Sequence, residues 1–250
     1  MSDGITWVGH STVLVELDGV RLLTDPVVRG RIGPLRRIVR PVSPEVTEAI
    51  NVVVLSHLHA DHADLGSLRR IGSATPVIAP RGSAHWLEAR GLHRVRELSV
   101  GEEVEVGAVR VGATPAVHDG RRPLGPRAAA IGVVIRGSRT VYFAGDTDLF
   151  PGLEQLAGAV DVALLPVWGW GRRLGPGHLD PERAAIAARL IAPAAVIPIH
   201  WGTLAPMRPL PRLADPSRPA REFAERVARI APSVRVVRLA PGEHVPLDRL

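Results

Sequence analysis

Short apolar runs separated by glycine, proline and charged residues recur along most of this chain. Near the amino terminus, the runs 13–17 and 20–24 flank the pair Asp18-Gly19, which is a strong signal for a β-hairpin. A third apolar run at residues 5–8 precedes them. The pattern therefore predicts that the chain opens as an antiparallel sheet.

Further apolar runs of strand length follow, and helical patterns are interleaved among the later ones. These runs lie at residues 52–55, 77–79, 109–117, 129–135, 140–144, 162–165 and 195–199. This alternation predicts a mixed α/β protein.

Three helices can be predicted from their starting residues. Ser83 and Asp180 are candidate caps, and Asp180 is followed by Pro181, a residue favoured in the first helical position. A third helix, starting near Ser217, is amphipathic. Its apolar face consists of Ala220, Phe223, Ala224, Val227 and Ile230, opposite Arg221, Glu225, Arg226 and Arg229.

Two stretches rich in proline and arginine, residues 29–44 and 206–219, are predicted to be loops. Neither is long or polar enough to separate two domains. We therefore expect residues 1–250 to form one domain.

Composition limits the classes of protein that fit. The chain has 250 residues, of which 46% are hydrophobic, so a large buried core is expected and disorder is not. No run approaches the roughly 18 apolar residues of a membrane span, and no leader segment is recognisable. We expect a soluble, cytoplasmic protein. Because the chain has no cysteine, any metal must be bound by histidine or carboxylate side chains.

The densest chemistry lies in the segment 56–62, Ser-His-Leu-His-Ala-Asp-His, directly after an apolar run. His57 and His59 would point the same way if the strand continued, while Asp61 and His62 would lie in a turn beyond it. The cluster can therefore serve two neighbouring cations. Imidazole and carboxylate ligands suit zinc, manganese or iron.

Further ligand-type residues follow other predicted strands. His118 closes the run 109–117, Asp146 follows residues 141–145, and His200 follows residues 196–199. Strand ends commonly line one edge of a sheet and carry a site there. We therefore expect these three residues to join the histidine cluster.

The segment His-Leu-His-Ala-Asp-His resembles the HxHxDH signature of the metallo-β-lactamase superfamily. The chain is most similar to the branch that contains ascorbate-6-phosphate lactonase and the phospholipase D that hydrolyses N-acylphosphatidylethanolamine. The motifs that carry this likeness are Trp-Val-Gly-His-Ser-Thr at 7–12, Leu-Thr-Asp-Pro at 23–26, Phe-Ala-Gly-Asp-Thr at 143–147, His-Leu-Asp-Pro-Glu at 178–182 and Pro-Ile-His-Trp-Gly-Thr at 198–203. The resemblance implies a four-layer αββα sandwich with a two-metal site at one edge.

The resemblance also implies how the ligands divide between two divalent metal ions, with zinc expected first and manganese or iron as alternatives. It assigns His57, His59 and His118 to one metal, assigns Asp61, His62 and His200 to the other, and makes Asp146 the bridge. Two cations about 3.5 to 4 Å apart can share a hydroxide and polarise a bound ester. Related diiron flavoprotein oxidases usually have glutamate where this chain has His59, which favours hydrolysis.

The resemblance therefore implies a metal-dependent hydrolase of a phosphodiester or lactone in an anionic small molecule. A metal-dependent ribonuclease is an alternative because the formal charge is +6, although few aromatic residues are available to stack bases and nucleic acid is not an expected partner. A noncatalytic metal-binding protein is a second alternative. The sequence leaves a homo-oligomer open.

The candidate catalytic residues are Asp61, His178 and His10. His178 matches a family position associated with substrate contact or leaving-group protonation, and His10 matches a first-loop motif near the metals. Asp25 either orients a metal-bound imidazole or starts a turn before Pro26. No ligand-type partner lies near the remaining histidines, which we expect at the surface or in packing contacts: His85, His93 and His244.

The sequence says less about the substrate pocket. Trp168, Trp170 and Trp201 form either an aromatic wall beside the metals or part of the core. The arginines near the site either attract an anionic substrate or form a solvated basic face. They are Arg29, Arg31, Arg36, Arg37 and Arg40 in the early segment, with Arg172 and Arg173 later.

Overall fold

The computed structural model of this chain describes residues 3–122, 125–169, 174–207 and 215–250. Trp170, Arg172 and Arg173 therefore lie outside the described residues. Within these ranges, no helix has both the length and the hydropathy needed to cross a bilayer.

The regular elements are short and follow one another closely. The strands are β1 (Gly4–Gly9), β2 (Thr12–Leu17), β3 (Val20–Thr24), β4 (Arg31–Ile32), β5 (Leu35–Arg37), β6 (Val52–Val54), β7 (Val77–Pro80), β8 (Val95–Leu98), β9 (Glu103–Val106), β10 (Val109–Pro115), β11 (Ile131–Arg136), β12 (Thr140–Phe143), β13 (Val162–Pro166), β14 (Ala195–Ile199), β15 (Leu204–Pro206), β16 (Arg235–Val236) and β17 (Glu243–Pro246). The α-helices are α1 (Leu65–Ile71), α2 (Ala84–Glu88), α3 (Pro181–Ile191) and α4 (Arg218–Ile230).

The strands of the described part form two large sheets and one small sheet. The first large sheet has the order β17-β1-β2-β3-β6-β7-β8, and the second has the order β16-β14-β13-β12-β11-β10-β9. The predicted opening hairpin is confirmed: β2 pairs antiparallel with β3, and Leu17 lies opposite Val20. Its two turn residues, Asp18 and Gly19, both have positive φ, as a tight two-residue hairpin turn requires.

The two large sheets pack face to face, with helices on their outer faces. On β13, Val162 and Leu164 point into the core between the sheets, whereas Ala163 and Leu165 pack with residues of α3 and α4. Leu68 of α1 and Leu87 of α2 pack against β6 and β7 of the first sheet. These layers confirm the four-layer αββα sandwich. The assignment of the whole chain to one domain stays a prediction.

The three predicted helices are present, but their caps differ. The Asp180 carboxylate accepts a hydrogen bond from the backbone N–H of Arg183, so the predicted cap of α3 is confirmed. The predicted capping by Ser83 is wrong, because its side chain makes no cap bond to α2. The structure also contains α1, which the sequence pattern did not predict.

The prediction that residues 29–44 form only a loop is wrong. β4 and β5 lie in this segment and form the small sheet with β15, in the order β15-β5-β4. The backbone N–H of Ile38 also donates to the carbonyl of Thr203, 2.9 Å away. The early arginine-rich segment is thus attached to the chain that follows His200.

Strands that end at the same edge of their sheets bring the site residues together. β3 and β6 run parallel, and so do β12, β13 and β14. Asp25, Ser56, Asp146 and His200 follow β3, β6, β12 and β14 closely along the chain. The two edges touch, since a Cβ added to Gly145 would lie 2.4 Å from that of Ser56.

Candidate metal centre

The segment that follows β6 is a tight turn and not a continued strand. The backbone N–H groups of His62 and Ala63 both donate to the carbonyl of His59, at 3.0 and 2.8 Å. The condition for His57 and His59 to point the same way along a strand is therefore not met. The turn nevertheless brings their inner nitrogens, His57 Nε2 and His59 Nδ1, to 3.0 Å.

The first group of candidate ligands is His57, His59 and His118. The Nε2 atom of His118 lies 3.2 Å from Nδ1 of His59, and the ligand atoms of all three lie within 4.8 Å of one another. His118 does not close β10 directly, because the strand ends at Pro115. It comes from the second sheet, so this group joins the two halves of the sandwich.

The second group contains Asp61, His62 and His200, with His10 as a fourth member that can bind a metal. Nε2 of His62 lies 3.9 Å from Oδ2 of Asp61. Nε2 of His10 lies 3.2 Å from the same oxygen. The sequence placed His10 near the metals, and the structure puts it in direct contact with a candidate ligand.

Asp146 lies beside the second group, and it also forms a ligand-capable cluster with His118 and His178. Its Oδ2 atom is 3.4 Å from Nε2 of His62, and its Oδ1 atom is 3.3 Å from Nε2 of His200. The carboxylate is 4% exposed, so its charge needs a positive partner. This position is the one expected of a ligand shared between two cations.

The five candidate histidine ligands share one hydrogen-bond pattern. Each has one ring nitrogen beside another candidate ligand and the other beside an oxygen acceptor outside the centre. The outer contacts are His57 Nδ1 to Ser56 Oγ, His59 Nε2 to the Arg121 carbonyl, His62 Nδ1 to Asp25 Oδ2, His118 Nδ1 to the Gly177 carbonyl and His200 Nδ1 to the Trp168 carbonyl. A carbonyl or carboxylate oxygen can only accept, and the Ser56 hydroxyl already donates to Asp25, so these outer nitrogens carry a proton. A metal would bind the inner nitrogens, and at His62 it would displace the proton that the raised pKa favours there.

Buried polar atoms in the centre give an independent test of whether a metal fits. Among the described residues, Nε2 of His62 and Oδ1 of Asp146 are buried and make no hydrogen bond. Buried polar atoms normally have a partner, and exceptions call for an explanation. Imidazole nitrogen and carboxylate oxygen are suitable ligands for zinc, manganese and iron. The residues present therefore fit divalent cations.

The pKa shifts in the protein without bound ions agree with this donor set. Burial lowers the pKa of His57 well below its usual value and that of His200 to about 3, so both rings are neutral at pH 7. Burial disfavours the charged form of Asp146, but His200 and His62 outweigh it and lower the carboxyl pKa. For His62, burial opposes the charge, yet Asp146, Asp61 and Asp25 raise its pKa. The centre thus favours positive charge at the place where ligands converge.

Asp25 and Ser56 connect the two groups of candidate ligands through hydrogen bonds to the outer nitrogens of His62 and His57. The Asp25 carboxylate accepts from His62 Nδ1 at 2.7 Å, from Ser56 Oγ at 2.5 Å and from the Ser56 backbone N–H at 2.7 Å. Ser56 Oγ in turn lies 3.0 Å from Nδ1 of His57. Orienting a ligand imidazole was one of the two roles expected for Asp25, whereas no role was predicted for Ser56, although its position directly before the first histidine was a usable signal.

His178 lies beside the centre with part of its ring exposed. Its Nε2 atom is 3.9 Å from Oδ2 of Asp146, and its side chain is 29% exposed. By contrast, His10 is only 2% exposed, and its ring packs on that of His200 with the centroids 3.9 Å apart. His85, His93 and His244 are exposed, as expected for histidines outside the site.

Of the candidate pocket residues, Trp201 packs its ring against the core, and Trp168 contributes a backbone contact to the site. Trp201 packs against the buried Trp7, with ring centroids 4.7 Å apart, and donates from Nε1 to the carbonyl of Pro198. Its ring thus packs with the core. The carbonyl of Trp168 is the acceptor for His200.

Two of the early arginines, Arg29 and Arg37, are held by hydrogen bonds to other parts of the protein. Arg29 makes a two-point contact with Asp64, at 2.7 and 2.6 Å. Arg37 donates to the carbonyl of Val8 at 2.6 Å, beside the loop that carries His10. Arg36 is exposed and is therefore available to an approaching anion.

The sequence and the fold of this chain are similar to those of known proteins. A family model described as the Beta-lactamase superfamily domain matches residues 20–201. The N-acyl-phosphatidylethanolamine-hydrolyzing phospholipase D 1 of Caenorhabditis elegans is 32% identical over 225 residues, which is 79% of this chain and 63% of that protein. This chain thus spans less than two thirds of that relative.

Other similar proteins match over nearly their whole length. A protein of Methanopyrus kandleri named as a metal-dependent hydrolase is 32% identical over 250 residues, covering 96% of this chain and 97% of that protein. The solved structure of a metallo hydrolase from Ignicoccus hospitalis has a TM-score of 0.75 at 27% identity and covers 98% of each chain.

Proposed function

This chain belongs to the metallo-β-lactamase superfamily, and from that membership we propose that it is a metal-dependent hydrolase of a phosphodiester or lactone in an anionic small molecule. The observation that carries this proposal is the convergence of five histidines whose outer ring nitrogens already face oxygen acceptors. The name of the Methanopyrus relative supports metal-dependent hydrolysis, and that of the Caenorhabditis relative, a phospholipase D, supports a phosphodiester.

We assign the first cation to His57, His59 and His118 and the second to Asp61, His62 and His200, with Asp146 between them. Zinc is the first expectation, and manganese and iron are the alternatives. When bound, two such cations lower the pKa of water toward neutrality and polarise the ester oxygen. The chain has no cysteine, so a cysteine nucleophile is excluded.

His178 is the best-placed proton donor for the leaving group. Its ring is partly exposed, and its Nε2 atom faces the Asp146 carboxylate at 3.9 Å. A substrate bound beside Asp146 can therefore receive the proton on its leaving oxygen from His178. Its role is general acid catalysis.

His10 acts through another residue, because its buried ring leaves little surface for a substrate. Its Nε2 atom lies 3.2 Å from Oδ2 of Asp61, so it fixes the direction of that carboxylate. We therefore treat His10 as a positioning residue. Asp61 is the group through which it would affect catalysis, as a candidate ligand of the second cation.

The first test is Asp146→Ala, with metal content measured together with turnover of a panel of lactones and phosphodiesters. Loss of the shared carboxylate should lower both metal content and activity. The exposed His85→Ala variant is the control and should change neither. Full occupancy by two metals with near-normal turnover in the Asp146 variant would rule out the assignment.

The second test is His178→Ala. This variant should keep its metals and lose on the order of 10² to 10⁴ in turnover, the usual effect of one positioned acid or base. The loss should shrink for substrates with good leaving groups, which need no proton. An equal loss for all leaving groups would contradict general acid catalysis by this residue.

The anionic nature of the substrate is tested at Arg36, an exposed arginine of the early segment. Arg36→Ala should reduce turnover of an anionic substrate more than that of a neutral lactone, and added salt should mimic the change through screening. Arg37 is unsuitable for this test because it holds the Val8 carbonyl. Parallel losses for both substrates would show that Arg36 does not select for charge.

A further inference from the structure

A guanidinium group contacts the turn that carries three of the candidate ligands. The Nη1 atom of Arg122 donates to the carbonyl of Leu58 at 3.2 Å and to the carbonyl of Ala63 at 2.9 Å. These carbonyls stand at the two ends of the segment 58–63. Arginine has no lone pair for a metal, so this contact is not ligation.

The contact closes a segment that is already a single turn. Between the two carbonyls lie His59, Asp61 and His62, and the His59 carbonyl accepts from two backbone N–H groups of the same turn. Leu58 and Ala63 are both fully buried. Opening this turn would therefore break both bonds to Arg122 and expose core residues.

The ring of Trp86 also contacts the guanidinium of Arg122. The Cζ atom of Arg122 lies 4.9 Å from the centroid of the Trp86 ring, and Trp86 packs against the core cluster that contains Leu58 and Ala63. A guanidinium can stack on an aromatic face and donate hydrogen bonds in its own plane at once. Lysine can supply the bonds but not the flat stacking surface.

The short segment 118–122, which ends with Arg122, also contacts the first group of ligands. It contains His118 itself and Arg121, whose carbonyl faces Nε2 of His59 at 3.1 Å. A Cβ added to Gly120 would lie 3.0 Å from that of His57, so the segment packs closely on the turn. Arg122 thus holds two ligand-bearing segments together.

We propose that Arg122, stacked on Trp86, is a positioning residue that holds the turn 58–63 in its metal-binding conformation and thereby sets metal affinity. This inference rests on the proposed metal centre. Contacts that orient metal ligands typically contribute 10- to 100-fold in affinity or activity. Arg122→Met replaces the apolar stem of the side chain with one of similar length and removes the guanidinium with its donors.

The experiment measures zinc affinity of the full chain by competition with a chromophoric chelator. Arg122→Met should bind zinc about 10- to 100-fold more weakly than the unmodified protein. The control, Arg127→Met, removes the same charge from an exposed position five residues further on and should leave affinity unchanged. Unchanged affinity in Arg122→Met would overturn the proposal.

Arg122→Lys covers the case in which the methionine variant does not fold. It should bind zinc more weakly than the unmodified protein because the stacking is lost. Trp86→Leu should weaken binding as well, and its effect should be smaller in the Arg122→Lys background because the two residues act together.

Two further results distinguish failure of the positioning role of Arg122 from failure of the proposed function. A purely structural role would lower the unfolding midpoint of the metal-free Arg122→Lys protein without changing zinc affinity, and this result would also overturn the proposal. If the unmodified protein bound no zinc, manganese or iron, the proposed function itself would fail. If it bound metal and the Arg122 variants bound equally tightly, only the positioning role would fail.

Discussion

At the residue scale, Asp25 contacts the ligands of both proposed cations. Its fully buried carboxylate accepts from His62 directly and, through the Ser56 hydroxyl, is connected to His57. An ionised carboxylate can accept all of these bonds, because both of its oxygens are acceptors. An amide cannot, since one of its two polar groups is a donor.

Asp25→Asn should therefore weaken binding of both cations, on the order of 10- to 100-fold. A zinc titration that resolves the two binding steps is the appropriate measurement. Asp248→Asn is the control, because that exposed carboxylate follows β17 and is not part of the candidate metal centre. Weakening of only one binding step would contradict the connection through Ser56.

His200 should make the stability of the metal-free protein depend on pH. Burial lowers its pKa from 6.5 to about 3, so between these values the unfolded chain binds a proton that the folded chain does not. The free energy of unfolding should therefore fall as the pH drops through this range. Urea unfolding across the range measures it.

His200→Asn should reduce this pH dependence by about 1.4 kcal/mol per pH unit, which corresponds to one proton. Asparagine is the suitable replacement because His200 has a φ of 64°, and asparagine tolerates the left-handed region. An unchanged slope would mean that His200 does not hold the depressed pKa.

The ligand-type residues could be found from the sequence because their side chains do the chemistry and their spacing follows strand ends. The outer acceptors could not, since three of them are backbone carbonyls, which every residue has. The carbonyls of Arg121, Trp168 and Gly177 reach the histidines only through the folded path of the chain. Arg122 also contacts backbone carbonyls, and its position in the sequence gives no signal that predicts this contact.

At the scale of elements, α3 and α2 provide a matched pair of helix starts. Asp180 caps α3 with its carboxylate, whereas the Ser83 hydroxyl is buried before α2 without a hydrogen bond among the described residues. A cap lost to alanine costs about 1 kcal/mol. A buried hydroxyl without a partner contributes nothing comparable and is itself unfavourable.

Asp180→Ala should lower the free energy of unfolding by about 1 kcal/mol. Ser83→Ala should leave it unchanged or raise it slightly. Chemical denaturation of both variants measures the difference, and a larger loss for Ser83→Ala would show that its hydroxyl has a role in the fold.

Element prediction succeeded where a local signal was strong and failed where the partner was distant. The Asp18-Gly19 hairpin and the proline-led α3 are specified by neighbouring residues. By contrast, β5 pairs with β15, which is more than 150 residues further along the chain, and β4 joins this sheet through β5. The helix α1 was missed because it has only seven residues, which is too short for a clear periodicity.

At the scale of the whole molecule, the proposed cations join the two large sheets. The candidate ligands that follow β6 of the first sheet include His57, His59 and His62. Those that follow strands of the second sheet are His118, Asp146 and His200. The layered architecture itself was predicted through family resemblance, because the packing of two sheets depends on contacts between distant strands.

Removing the metal should therefore lower the stability of the entire fold. At a free metal concentration of about 100 times the dissociation constant, binding contributes about 2.7 kcal/mol. Thermal unfolding with and without a chelator measures this contribution. In the Asp146→Ala variant, the chelator should change the unfolding temperature much less. An undiminished change in that variant would argue against the position of Asp146 between the cations.

The left-handed backbone at three site residues has a consequence for protein engineering. His10, Asp25 and His200 have φ values of 53°, 32° and 64°, a region that costs a residue with a side chain roughly 1–2 kcal/mol. Glycine or asparagine at these positions would relieve that strain. Selection for heat resistance of the metal-free protein would therefore favour replacing these residues, whereas selection of the metal-bound protein would retain them because bound metal contributes more than this strain costs. Thermostable variants selected without metal should be screened for retained metal binding before they are used as catalysts.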